Sequence, residues 1–189
     1  MGEPAVNSDR VTVAEFLSFE GERDVRYQLL DGLIVAMAPA LRRHRVIAIN
    51  VGAALHGRLR PPCLAESEAG ILLPWSDGDY YVADVAVSCA PVGGERWSPD
   101  PVLVVEVLSP STEEEARVVK LRDYRRIPSV CDVLLIASTR AAVEHYARSG
   151  PFWRLQDLGP GDAIRLEALG IEVPVDEVYA GIDFDRDEA

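Results

Sequence analysis

Val102-Leu-Val-Val-Glu-Val-Leu108, followed by Ser109-Pro-Ser-Thr112, decides how this chain is read. An apolar run interrupted by a single acid has the character of a strand buried on both faces. Burying an unpaired carboxylate costs several kcal/mol, about what a marginal fold can spare, so Glu106 needs a partner, a proton or a cation. The Ser-Pro-Ser-Thr segment offers a helix N-cap, and Glu113 to Glu115 then place acids at the positive end of a helix dipole. That helix is expected to run to about Arg126, with Pro128 closing it.

Upstream, Tyr80-Tyr-Val-Ala-Asp-Val-Ala-Val87 repeats the pattern, again with one acid, Asp84, in a β-type run. Two such acids on separate strands make a hard-oxygen site suited to Mg²⁺ or Mn²⁺ and not to Zn²⁺. Mg²⁺ is normally held by one or two carboxylates, so two suffice. Lys120 is the only lysine among 19 basic residues. Its helix starts just after the strand of Glu106, and Tyr124, four residues on, shares its face.

Further out, Thr12 and Glu15 form a capping box for a short helix. Two β-like runs, Val25 to Leu30 and Leu33 to Met37, flank Asp31-Gly32, a hairpin signal. Arg42 to Leu59 has helical periodicity and stops at Pro61-Pro62. Further strand-like runs are Ile71 to Leu73, Val130 to Ala137, Ala141 to Ala147 and Phe152 to Leu158, with a short helix at Val175 to Tyr179. The layout predicts an α/β fold, a central mixed β-sheet flanked by helices. One domain is expected over residues 11–181, with a disordered N-terminus at 1–10 and an acidic tail at 182–189. The first ten residues have neither the basic nor the apolar stretch of a signal peptide. No apolar run is long enough to span a bilayer. Three widely spaced cysteines without a CxxC pair argue for free thiols in a reducing, cytoplasmic setting.

The formal net charge of −12 opposes strong non-specific binding to nucleic acid, which depends on cationic contacts with phosphate. Local basic patches are the exception, above all Arg42, Arg43 and Arg45 around His44.

The set Tyr27-Gln-Leu-Leu-Asp-Gly32, His44, Ala83-Asp84-Val85, Val105-Glu-Val-Leu-Ser-Pro-Ser-Thr112 and Lys120-x-x-x-Tyr124 resembles a widespread, largely uncharacterised bacterial family. That family is labelled "putative restriction endonuclease" and assigned the PD-(D/E)XK nuclease fold. The resemblance covers roughly residues 11–180. It implies a restriction endonuclease-like domain in which Asp84 and Glu106 bind Mg²⁺ (or Mn²⁺) and Lys120 assists hydrolysis of phosphodiester bonds, with DNA the expected substrate. Val107, through its carbonyl, is a further expected ligand. Gln28, His44 and Tyr124 are secondary candidates, and Arg42, Arg43 and Arg45 the expected substrate contacts. Three departures stand out. Ala83 replaces the family's usual proline, Leu108 occupies the superfamily's lysine position, and Gln28 replaces a glutamate. The competing expectation is a catalytically inactive nuclease-fold module for binding or assembly. A homodimer, paired through C-terminal strands, is compatible with either.

Overall fold

A computed structural model describes residues 10–109 and 113–185. The capping box forms as expected. Thr12 caps α1 (Val13–Leu17), and Glu15 reaches back to the Thr12 amide at 2.8 Å. β1 (Tyr27–Leu30) and β2 (Leu33–Ala36) make the hairpin. Asp31 (φ 49°) and Gly32 (φ 76°) both adopt the left-handed conformation that a tight two-residue turn requires.

α2 (Arg42–His56) leads into β3 (Leu64–Leu72), β4 (Tyr80–Ser88) and β5 (Pro101–Leu108). A helical stretch follows: α3 (Glu113–Glu115), a π-helical turn (Ala116–Lys120) and α4 (Leu121–Tyr124). β6 (Asp132–Ala137), β7 (Val143–Ser149) and β8 (Phe152–Leu158) complete an eight-stranded mixed sheet. Its order is β2-β1-β4-β5-β6-β7-β8, with β3 also on β4. β5 and β6 run parallel, and the other described pairs are antiparallel. The expected cap at Ser111 and Thr112 lies outside the described residues, as do 1–9 and 186–189 of the two expected tails.

The sheet splits where the acids are. Tyr80 pairs with Leu29 of β1 and with Leu72 of β3, so those two strands lie on opposite edges of β4. Val85 pairs with Ser67 of β3 and with Val105 of β5. β1 and β5 therefore share one edge of β4 and diverge along it. Val85–Val105 is the last rung before the gap, so Asp84 and Glu106 are the next residues on either side of the opening.

Each face has its own core. Val51 and Leu55 of α2 pack with Val85, Val105 and Val107 on one face. On the other, Leu121 and Tyr124 pack with Tyr81, Val104, Leu108 and Leu135. Glu106 alternates with Val105 and Val107 and so shares the second face. Leu108, at the expected lysine position, is simply part of this second core.

Three features differ from the sequence expectation. β9 (Ala163–Leu166) and β10 (Ile171–Pro174) form a separate hairpin ahead of α5 (Val175–Val178). The expected acidic tail is partly packed, since Ile182 and Phe184 lie against the first core. Finally, Cys63 and Cys89 form a disulfide, which corrects the expectation of three free thiols; Cys131 alone is free. The reason is register. Leu64 pairs with Ser88, which brings the residues just beyond them together across the β3–β4 ladder. Among the described residues no helix is long and apolar enough to cross a membrane.

Candidate functional site

Where β5 diverges from β4, side chains bridge the two strands instead of backbone rungs. Asp84 Oδ2 accepts the Val107 amide at 2.7 Å, satisfying a donor that lost its strand partner. From the opposite side of the gap, Lys120 Nζ donates to the Val82 carbonyl at 3.3 Å and to Glu106 Oε1 at 3.2 Å. Tyr124 donates its hydroxyl to the same Glu106 oxygen at 2.6 Å. The π-helical turn ending at Lys120 adds a residue to the ordinary helical repeat and sets which side chains face the sheet.

Glu106 is 7% exposed and Lys120 5%. Burial raises the pKa of Glu106 above the ordinary carboxylate range. The charge of Lys120 opposes that shift, Asp84 reinforces it, and the hydrogen bonds from Tyr124 and Lys120 oppose it again. Burial, with Glu106 close by, holds the Tyr124 phenol well above its usual value, so it stays a donor.

His44 Nε2 approaches Asp84 Oδ2 at 3.3 Å. Burial pulls the His44 pKa down, but the hydrogen bond and charge of Asp84, with smaller contributions from Val107 and Glu106, outweigh it and leave it raised. His44 Nδ1 is buried without a partner.

These side chains line one cavity of about 500 Å³, whose walls include Asp84, Glu106, Val107, Lys120, His44 and Gln28. Gln28 is 5% exposed; its amide nitrogen donates to Glu115 Oε1 at 2.9 Å, while its carbonyl oxygen is buried with no partner. Neither cleft acid is bridged to an arginine among the contacts described. The expected catalytic residues Asp84, Glu106 and Lys120 therefore line one cavity with the secondary candidates Gln28 and His44, while Tyr124, fully buried, stands behind Glu106 and outside the cavity lining.

The three arginines do not converge. Consecutive helical positions turn by about 100°, so Arg42 and Arg45, three apart, lie on neighbouring positions of one face while Arg43 turns away from them. Arg43 donates to the carbonyls of Ser138 and Asp183 and lies 5.1 Å over the Phe184 ring. Arg42 and Arg45 are exposed, and Arg45 borders a neighbouring groove instead of the acid cavity.

Two residues escaped the sequence reading. Glu115 reaches Gln28 and lies 4.0 Å from Lys120, and it is only one of three successive glutamates in the sequence. Arg26 pairs with Glu68 at 2.9 Å and borders both the acid cavity and the groove beside it. Nothing in the spacing of either residue marked it.

Fit to a divalent cation can be judged from the donors. Asp84 and Glu106 supply carboxylate oxygens, Val107 a carbonyl, and Gln28 an orphaned buried carbonyl oxygen. All are hard donors suited to Mg²⁺ or Mn²⁺. Among the described residues no group of three or more His, Cys, Asp and Glu is arranged to hold a metal ion. A two-carboxylate site of the Mg²⁺ type is the kind this donor set can form.

Comparison with known proteins agrees with the architecture. A crystal structure of a "putative nuclease belonging to DUF820" from Anabaena variabilis superposes with a TM-score of 0.70, at 16% identity, over 90% of this chain and 98% of that one. An uncharacterised Synechocystis protein, slr1290, is 29% identical over 186 residues, covering 96% of this chain and 97% of its own. A second Synechocystis protein, sll1609, also uncharacterised, is 27% identical over 159 residues, covering 78% of this chain and 87% of its own. The profile of the Uma2 family, described as "Putative restriction endonuclease", matches residues 13–176, and the chain belongs to that family.

Proposed function

We propose that this chain is a divalent-cation-dependent nuclease that hydrolyses phosphodiester bonds of nucleic acid, DNA being the first substrate to test. The observation that carries this reading is the convergence of Asp84 and Glu106 on one cavity, with Lys120 3.2 Å from Glu106. Family membership supports nuclease chemistry in general.

Asp84, Glu106 and the Val107 carbonyl would hold Mg²⁺ or Mn²⁺, with Gln28 Oε1 within the same cavity. A cation there lowers the pKa of a water and offsets charge building on the phosphate. Lys120, beside Glu106, would orient that water or stabilise the charge on the scissile phosphate, an interaction worth more in a water-poor site than in solvent. Tyr124 holds Glu106 in place by donating to it. His44, hydrogen-bonded to Asp84, is positioned to accept or return a proton at the cavity wall. Arg26 and Arg45, near the rim, are the cations best placed for substrate phosphates. Of the other two arginines, Arg42 would add only an exposed charge, and Arg43 is engaged with the C-terminal segment.

Calorimetric titration with Mg²⁺ should give heat in the wild type and none in Asp84→Asn. Incubation with plasmid and Mn²⁺ should then give nicking that Glu106→Gln abolishes. Cutting that survives Glu106→Gln would defeat the assignment. The rival reading, an inactive binding or assembly module, draws on the net charge of −12 and on Gln28. It expects cation heat without any nicking. A homodimer through the β8 edge is proposed on a separate observation: β8 ends the sheet order and leaves Phe152 74% exposed.

A further inference from the structure

A second cavity of about 500 Å³ lies between α2 and β3, beside the first. The two share Arg26, Ala40, His44 and Asp84 in their walls, so the groove adjoins the proposed reaction centre. Ala48, Gly52 and Ala53 from α2 and Ala65 from β3 give it a wall of small apolar residues, and most of the rest of its lining is polar or charged, with His56, Glu66, Ser67 and Glu68 among it. Gly52 stands in the middle of a 15-residue helix, where glycine is disfavoured. A Cβ placed there would meet only Val85 Cγ2, at 3.9 Å, so nothing in the protein itself demands its absence. The effect of the missing side chain is to keep the groove open.

We propose that this groove is a subsite for one unpaired nucleobase, next to the phosphate held at Asp84 and Glu106. The substrate class is then single-stranded or locally unpaired nucleic acid. The proposal rests on the nuclease reading and narrows it. Three observations lead to it. The groove shares its Arg26, Ala40, His44 and Asp84 wall with the phosphate-handling cavity, which sets its occupant beside that phosphate. It joins a wall of small apolar residues to side chains that can donate and accept, Ser67 and Glu66 among them, which suits a flat ring with a polar rim. A net charge of −12 opposes a long run of phosphate contacts, which raises the share of affinity that base burial has to supply. A base inside a paired stack cannot turn into such a slot; it has to be unstacked first.

The test is fluorescence anisotropy of the full chain with a labelled DNA dodecamer in Ca²⁺, single-stranded and as the matched duplex, with an RNA strand of the same sequence in parallel. At least tenfold tighter binding of either single strand over the duplex is expected. Gly52→Leu, which fills the slot with a better helix former, should erase that preference while keeping the wild-type Mg²⁺ heat. Ala53→Leu, on the exposed wall, serves as the second variant should Gly52→Leu misfold. Duplex binding as tight as single-strand binding would overturn the proposal, and so would wild-type single-strand affinity in a folded groove variant. Absence of Mg²⁺ heat in the wild type would sink the cation site instead, and the strand preference with its loss in Gly52→Leu would still decide the groove.

Discussion

Lys120 Nζ touches both sides of the split sheet at once, 3.3 Å from the Val82 carbonyl on β4 and 3.2 Å from Glu106 Oε1 on β5. It substitutes for rungs that β4 and β5 cannot form there. Removing one member of a buried ion pair leaves the other uncompensated, at a cost of about 3–5 kcal/mol. Lys120→Met should therefore lose stability of that order in urea unfolding, as well as any nuclease activity. Adding Glu106→Gln to it should recover at least about 1 kcal/mol, because the two residues interact directly. Strictly additive losses in that cycle would mean the pair is not coupled.

Tyr124 completes the enclosure of Glu106 with a 2.6 Å hydrogen bond to the same oxygen. Hydrogen bonds to charged groups contribute about 1.5–3 kcal/mol. Tyr124→Phe should fall in that range by urea unfolding, with the helical far-UV signal unchanged. It should also weaken Mg²⁺ binding, since the hydroxyl steadies a proposed ligand. Wild-type stability in Tyr124→Phe would show the contact to be incidental.

Much of this arrangement is legible in the sequence because its signals are local. An acid inside an apolar strand is conspicuous, as at Asp84 and Glu106, and Asp31-Gly32 specifies its own turn. A lone lysine on a helix that follows directly from such a strand must pack back on it. What stays hidden depends on register and on distant packing. Nothing near Glu115 marks it as the residue that meets Gln28, 87 positions away. Arg26 becomes a rim residue only because β1 and β3 flank β4. Arg42, Arg43 and Arg45 look like a patch in one dimension, and helical rotation turns Arg43 away from the other two, towards the C-terminal segment. The Ile182 and Phe184 contacts were masked by the acids around them.

The cysteines follow the same logic, since a separation of 26 residues says nothing about the Leu64–Ser88 register that brings Cys63 to Cys89. Denatured, unreduced protein should titrate one thiol per chain, Cys131, and three after reduction. The disulfide closes a loop for which chain-entropy arguments give roughly 3 kcal/mol. Reductant should lower the urea midpoint accordingly. Three titratable thiols before reduction would show that the bond does not form.

Glu106 also sets a pH dependence. Burial raises its folded pKa above the unfolded value, so the native state holds that proton more tightly. The stabilisation this confers is complete below the unfolded carboxylate range and is lost as pH rises through the folded pKa. In chelator, wild-type stability should therefore fall relative to Glu106→Gln as pH climbs above the unfolded carboxylate range. Mg²⁺ should restore it at neutral pH only in the wild type, by about 2.7 kcal/mol at a hundredfold excess over the dissociation constant. Lys120 opposes the shift, so the size of the gap measures how much of the burial cost the lysine leaves for a cation to offset. A wild-type curve parallel to that of Glu106→Gln, unmoved by Mg²⁺, would mean the lysine alone neutralises the acid. The site would then be a structural clasp for the split sheet, with no cation required.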